Sequence, residues 1–212
     1  MPNRKLALSF IFLTALIDSI GFGILMPVLP NLYMEITGEG LAQAAVYGGW
    51  LLFAYAIMQF FFAPVLGNLS DAYGRKPVLM ASMAALGINY LIMGFAGSLL
   101  VLFIGRLVSG IGAATFSTCN AYIADTIPVE ERAQYFGLTG AAFGAGFVIG
   151  PVLGGLLGEI GSRAPFFTTA ALIFANLIMG LLFLPDKGQP RVLDYLCSLR
   201  QNQIYRSLSW NP

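Results

Sequence analysis

The sequence predicts an all-α membrane protein, a bundle of six transmembrane helices, and three observations carry that expectation. Hydrophobic residues make up 58% of the chain and charged residues only 10%, with a mean hydropathy of +0.78; soluble domains run at about 45–50% apolar and about 25% charged. The apolar residues gather into six stretches, 6–29, 45–66, 77–96, 99–124, 135–158 and 165–184. At about 20 residues each is long enough to cross a hydrocarbon core of roughly 30 Å. None shows the strict alternation of a lipid-facing barrel strand, so the helix is the element that can satisfy its own backbone in lipid.

The first stretch follows Arg4 and Lys5 and could pass for a secretory signal. It is too long, lacks an A-x-A-like cleavage site and precedes five further stretches, so it reads as an uncleaved first helix. After the second stretch, Gly67 and Gly74 suit helix termination and a tight turn, and Pro77 suits the first turn of the third helix. In the fifth stretch Gly146, Gly150, Gly154 and Gly158 recur every four residues. That spacing makes a smooth ridge along which another helix can approach closely. Pro151 removes a backbone donor beside the ridge and should bend the helix. The sixth stretch ends at Leu184, and 185–212 is polar, opened by Pro185, Gly188 and Pro190. This segment reads as a cytoplasmic tail, not a seventh span.

Orientation follows from the basic residues. Arg4, Lys5, Arg75, Lys76, Arg132, Lys187, Arg191, Arg200 and Arg206 fall on one side and only Arg163 on the other, which puts both termini in the cytoplasm. A net charge of +1 supplies no field for nucleic acid. The absence of histidine removes the commonest general base and zinc ligand, so neither enzymatic hydrolysis nor a metal site is expected. Cys119 and Cys197 have neither metal-ligand nor redox spacing.

Two charges lie inside spans, where each costs at least about 2.5–3.5 kcal/mol on insertion scales. Asp18 is 12 residues beyond Leu6, about 18 Å from the cytoplasmic start. Arg106 is 7 residues beyond Leu99, about 10 Å from the external start. The two share a layer, and Asn89, 12 residues beyond Pro77, falls in it too. Such a pair either pins two helices together or faces a cavity and couples proton to substrate. Asp71 and Asp125 lie nearer the cytoplasmic boundary, where water screens them.

The string Gly67-Asn68-Leu69-Ser70-Asp71-Ala72-Tyr73-Gly74-Arg75-Lys76-Pro77 resembles the signature loop between helices two and three of the major facilitator superfamily. Four further stretches agree in order with its tetracycline-resistance class of drug:proton antiporters. They are Asp18 to Gly23 running into Met26–Pro30, Tyr55–Gln59 with Ala63-Pro64, Gly105-Arg106-Leu107 with Ile123-Ala124-Asp125, and Gly146–Gly155. Ala72 departs from the arginine usual in the loop, and Asn89 stands where the tetracycline carriers typically have an aspartate.

The resemblance implies the N-terminal half of such a transporter, built as two inverted three-helix units, in a bacterial inner membrane. It implies proton-coupled export of small amphipathic drugs, with the proton as coupling ion and no cofactor. Asp18, Gln59, Asn89 and Arg106 would line the substrate and proton pathway. Gly67, Asp71, Gly74, Arg75 and Asp125 would form a cytoplasmic gate network. The helix carrying Gly146, Gly150, Pro151, Gly154 and Gly158 would pack against the other half, supplied by a C-terminal half or a second copy. The alternative reading is a truncated fragment that inserts and transports nothing.

Overall fold

The computed structural model describes residues 4–184, with side chains from Leu6 onward. The segment 185–212, read above as a tail, lies outside the described residues. Seven helices appear: α1 (Arg4–Thr37), α2 (Leu41–Tyr73), α3 (Arg75–Phe95), α4 (Leu99–Ile111), α5 (Thr115–Thr126), α6 (Val129–Ile160) and α7 (Ala164–Phe183). With α4 and α5 taken together as Leu99–Thr126, they make six spans. Among the described residues there is no strand.

The helices outrun the apolar stretches that signalled them. α2 has 33 residues and α6 has 32, about 48 Å at 1.5 Å per residue, so both project beyond a core of roughly 30 Å. An apolar count stops where the side chains turn polar, while the backbone ladder continues into the headgroup layer. Gly67 shows the consequence. It lies inside α2 and terminates nothing, and the turn between α2 and α3 is reduced to Gly74 alone. Its φ of +97° is open to glycine at no steric cost.

The fourth span is not one helix. Gly112 N–H donates to Val108 O at 3.1 Å and Ala114 N–H to Gly112 O at 2.8 Å, a tight turn that separates α4 from α5. Two glycines in three residues, Gly110 and Gly112, weaken the helix there. The apolar pattern runs straight through the break and could not reveal it. Elsewhere the ends follow local chemistry. The Ser98 side chain accepts from Val101 N–H at the start of α4, Glu130 and Glu131 occupy the first turn of α6, and Pro165 sits in the first turn of α7. Pro27, Pro30, Pro64 and Pro151 stay within helices, as neighbouring spans permit.

Packing is organised by close helix pairs: α1 with α6, α3 with α7 and α2 with α4. The glycine ridge of α6 makes the first. A Cβ on Gly146 would meet Ser19 and the Leu16 carbonyl, one on Gly150 would meet Gly23 and Ile20, and one on Gly154 would meet Ile24. Pro151 lies against Gly23. The ridge therefore seats on α1 of its own half, while Val148, Val152 and Leu156 on another face of α6 stay exposed. Gly158 has nothing within reach and takes no part. The four-residue period therefore outlasts the close approach. Outside these pairs, Asn176 of α7 donates to Thr14 of α1 at 3.0 Å, a buried polar tie within apolar packing. On the opposite face, Trp50, Phe53, Phe60 and Phe61 of α2 and Val148, Val152 and Leu156 of α6 are exposed.

Candidate functional site

Because α1 is drawn to α6 and α4 to α2, the helices α1 and α4 scarcely touch, and a cavity of about 420 Å³ opens between them. Asp18 and Phe22 enter it from α1, Tyr55 and Gln59 from α2, Asn89 and Tyr90 from α3, Arg106 and Ser109 from α4. Phe116 of α5 and Phe143 and Phe147 of α6 complete the wall. Asp18, Gln59, Asn89 and Arg106, distant in sequence, thus share one chamber.

Asp18 and Arg106 do not form a direct ion pair. Among the described residues no Asp18 oxygen lies within salt-bridge distance of an Arg106 nitrogen. Equal depth in the membrane placed them in one layer, but the chamber between α1 and α4 keeps them apart. Arg106 is only 2% exposed, and its Nε and Nη2 have no hydrogen-bond partner among the described residues. Asn89, 1% exposed, donates through Nδ2 to the Met93 sulfur at 3.6 Å, while its Oδ1 has no partner there. Buried polar groups in folded proteins are nearly always satisfied, so orphans converging on a cavity mark a place built to meet something else.

The aromatic wall was missed in the sequence. Phe22 and Phe147 (5.5 Å between centroids), Phe147 and Phe143 (5.4 Å), and Phe143 and Phe116 (5.1 Å) form a chain of rings. A signal existed, since Phe22 follows Asp18 by four residues and Phe147 follows Phe143 by four, a spacing that puts each pair on one helix face. A second, mostly apolar cavity of about 450 Å³ lies between α1 and α2. Leu25, Met26, Leu29, Tyr33 and Leu52 line it, and Arg106 closes one end.

At the end of the bundle where α2 meets α3, Arg75 gathers three partners. Its Nε donates to Asp125 Oδ2 at 2.7 Å, and its Nη1 reaches Asp71 at 2.5 Å and Ser70 at 3.1 Å. Gly74 makes the turn that delivers Arg75, whereas Gly67 is exposed on α2 and a side chain there would meet nothing within 4 Å. Buried Ser70 was quoted in the loop string but given no role. At the opposite end Arg163 reaches Glu35 at 3.5 Å and the Gly94 carbonyl at 3.3 Å, and Ser162 donates to Glu35. Nothing in the sequence pattern paired Glu35 with Arg163.

A family model described as Major Facilitator Superfamily matches residues 11–195. The class H tetracycline resistance protein of Pasteurella multocida is 45% identical over 86% of this chain and 45% of its own length. The class C tetracycline resistance protein of Escherichia coli is 46% identical over 87% of this chain and 47% of its own. Multidrug resistance protein 1 of Bacillus subtilis (strain 168) is 31% identical over 88% and 47%. Among solved structures, the human organic anion transporter MFSD10 (TETRAN) superposes with a TM-score of 0.74 at 25% identity, covering 88% of this chain and 48% of that one. The chain spans about half the length of the curated relatives it matches.

Proposed function

The chain belongs to the Major Facilitator Superfamily, and we propose that it forms one six-helix half of a proton-coupled exporter of small amphipathic drugs. The observation that carries this reading is the chamber in which Asp18, Gln59, Asn89 and Arg106 meet an aromatic wall in the middle of the bundle. An ionisable residue inside a span that faces a cavity is a functional-site candidate by default. In this mechanism Asp18 takes up and releases the coupling proton, and the rings of Phe22, Phe143 and Phe147 wall the chamber through which the cargo passes. The Arg75 cluster with Asp71 and Asp125 closes the cytoplasmic end. Both termini are cytoplasmic and the membrane is the bacterial inner membrane.

A second half completes the pathway. The exposed aromatic and aliphatic side chains of α2 and α6 support this, as does the fact that relatives run to about twice the matched length. A C-terminal six-helix half is the proposed partner, and a second copy of this chain is the other arrangement. The half-length match also favours a second reading, a fragment that inserts without transporting. The test is drug uptake into everted vesicles, with this chain expressed alone or together with the C-terminal half of the class C relative. The pair is expected to take up drug on acidification of the lumen, and the chain alone is not. Asp18→Asn should abolish gradient-driven uptake while leaving the amount of folded protein unchanged. No uptake by any combination would leave the fragment reading standing, whereas uptake by the chain alone would establish a dimer of halves.

A further inference from the structure

Arg106 is the only polar side chain among the described residues that lines both cavities. Its two partnerless nitrogens, Nε and Nη2, are not an arbitrary pair. They form the side-on edge of the guanidinium, two parallel N–H donors in one plane, spaced to match the two oxygens of a carboxylate. The Tyr33 hydroxyl is buried beside the guanidinium, within side-chain hydrogen-bonding reach of it. It stands close enough to feel the guanidinium charge. Tyr33 faces the apolar cavity, so the open edge of Arg106 and the neighbouring Tyr33 hydroxyl meet where that cavity joins the polar chamber. Asp18, the only carboxylate among the described residues that lines either cavity, does not reach this edge. Asn89 offers an amide oxygen and adds no negative charge.

We propose that the cargo of this half is an anionic amphiphile, a carboxylate or similar two-oxygen anion attached to an apolar body. The anion seats on the Nε–Nη2 edge of Arg106 and accepts from the Tyr33 hydroxyl. The body lies in the cavity of about 450 Å³ among Leu25, Met26, Leu29 and Leu52. That volume lies within the range of small-molecule sites, which are mostly apolar with a few placed polar groups. An organic cation is disfavoured here, because it would share a low-dielectric chamber with an unneutralised guanidinium. The proposal rests on the reading of these cavities as the cargo site of the exporter.

The experiment uses a matched series of naphthylacetate, its methyl ester and naphthylethylamine. Binding to the full 212-residue chain is measured by equilibrium dialysis in lipid discs of neutral phosphatidylcholine. The wild-type chain is expected to hold the carboxylate roughly tenfold or more tighter than either analogue, the effect of one charge-assisted bidentate pair. Arg106→Lys keeps the positive charge but loses the two-donor edge, and should erase most of that preference. Tyr33→Phe should weaken the carboxylate severalfold and leave the ester unchanged, which keeps a test in hand if the Arg106 variant fails to fold. Equal binding of the three probes, preference for the amine, or full retention of the preference in Arg106→Lys would overturn the proposal. Carboxylate preference without export by the paired halves would sink the exporter reading alone, while export with amine preference would sink only this inference.

Discussion

Replacing Gly150 by alanine adds one methyl group where the backbones of α1 and α6 come into close contact. Its Cβ would lie 2.7 Å from Gly23 Cα, 2.7 Å from the Ile20 carbonyl oxygen and 2.9 Å from the Gly23 carbonyl carbon. Comfortable carbon–carbon separation is about 3.5–4.0 Å, so the helices must part locally by about 1 Å. All three obstacles are backbone, and no rotamer change can relieve them. Overpacking of this kind costs about 1–3 kcal/mol, offset by the roughly 0.8–1.0 kcal/mol that alanine returns in helix propensity. Gly158→Ala is the control, because nothing lies within 4 Å of its Cβ position and only the propensity gain remains. The difference between the two variants isolates the packing cost, about 1–3 kcal/mol. Thermal unfolding of the purified chain in detergent reads it as a midpoint several degrees lower for Gly150→Ala than for Gly158→Ala. Midpoints within a degree of each other would refute the claim that the ridge sets the α1–α6 distance.

Asp125→Asn removes one partner of Arg75 at a partly exposed site, so stability should change by no more than about 1 kcal/mol. Export by the paired halves should fall by about tenfold or more if this cluster gates the cytoplasmic end. Normal export by that variant would remove the gate. Reporter fusions after Leu184 and near Gly38 should lie on opposite sides of the membrane, the first cytoplasmic and the second external. Both on one side would overturn the proposed orientation and the six-span count together.

The six spans were legible in the sequence because lipid imposes a long-range demand, about 20 apolar residues per crossing, that survives local noise. Helix ends were less legible: the apolar count stopped short of Pro30 in α1 and at Leu66 in α2 and began only at Tyr135 in α6, while the helices run on to Thr37 and Tyr73 and start at Val129. The break at Gly112–Ala114 was invisible because the apolar pattern runs straight through it. Asp18, Gln59, Asn89 and Arg106 stood out because polar groups in apolar stretches are expensive. Their assembly into one chamber was suggested for three of them by depth alone. Depth fixes one coordinate of three, and this is why it brought Asp18 and Arg106 to one level but could not say whether they touch. The glycine ridge announced close approach without naming the neighbour, which in the structure is α1. Glu35 and Arg163, 128 residues apart, carried no pattern that could join them.

The distribution of charge links packing to the proposed mechanism. At the two ends of the bundle, where water screens, charges are paired: Arg75 with Asp71 and Asp125, and Arg163 with Glu35. In the middle, where an unpaired charge costs most, Asp18 and Arg106 share a chamber without meeting. A fold selected only for stability would reverse that arrangement, closing α1 onto α4 and leaving the ends to solvent. What prevents the closure is the competing contact of α1 with α6, where Gly146, Gly150 and Gly154 admit the α1 backbone more closely than any side chain would. The ridge therefore sets the width of the chamber as well as the strength of the α1–α6 pair. A methyl group at Gly150 pushes α1 away from α6, and Asp18 lies within that same stretch of α1. The structure thus predicts that Gly150→Ala alters carboxylate binding as well as thermal stability, whereas Gly158→Ala leaves binding unchanged and adds only its propensity gain to stability. A Gly150→Ala chain that loses stability but binds naphthylacetate as the wild type does would separate the two roles and refute the coupling.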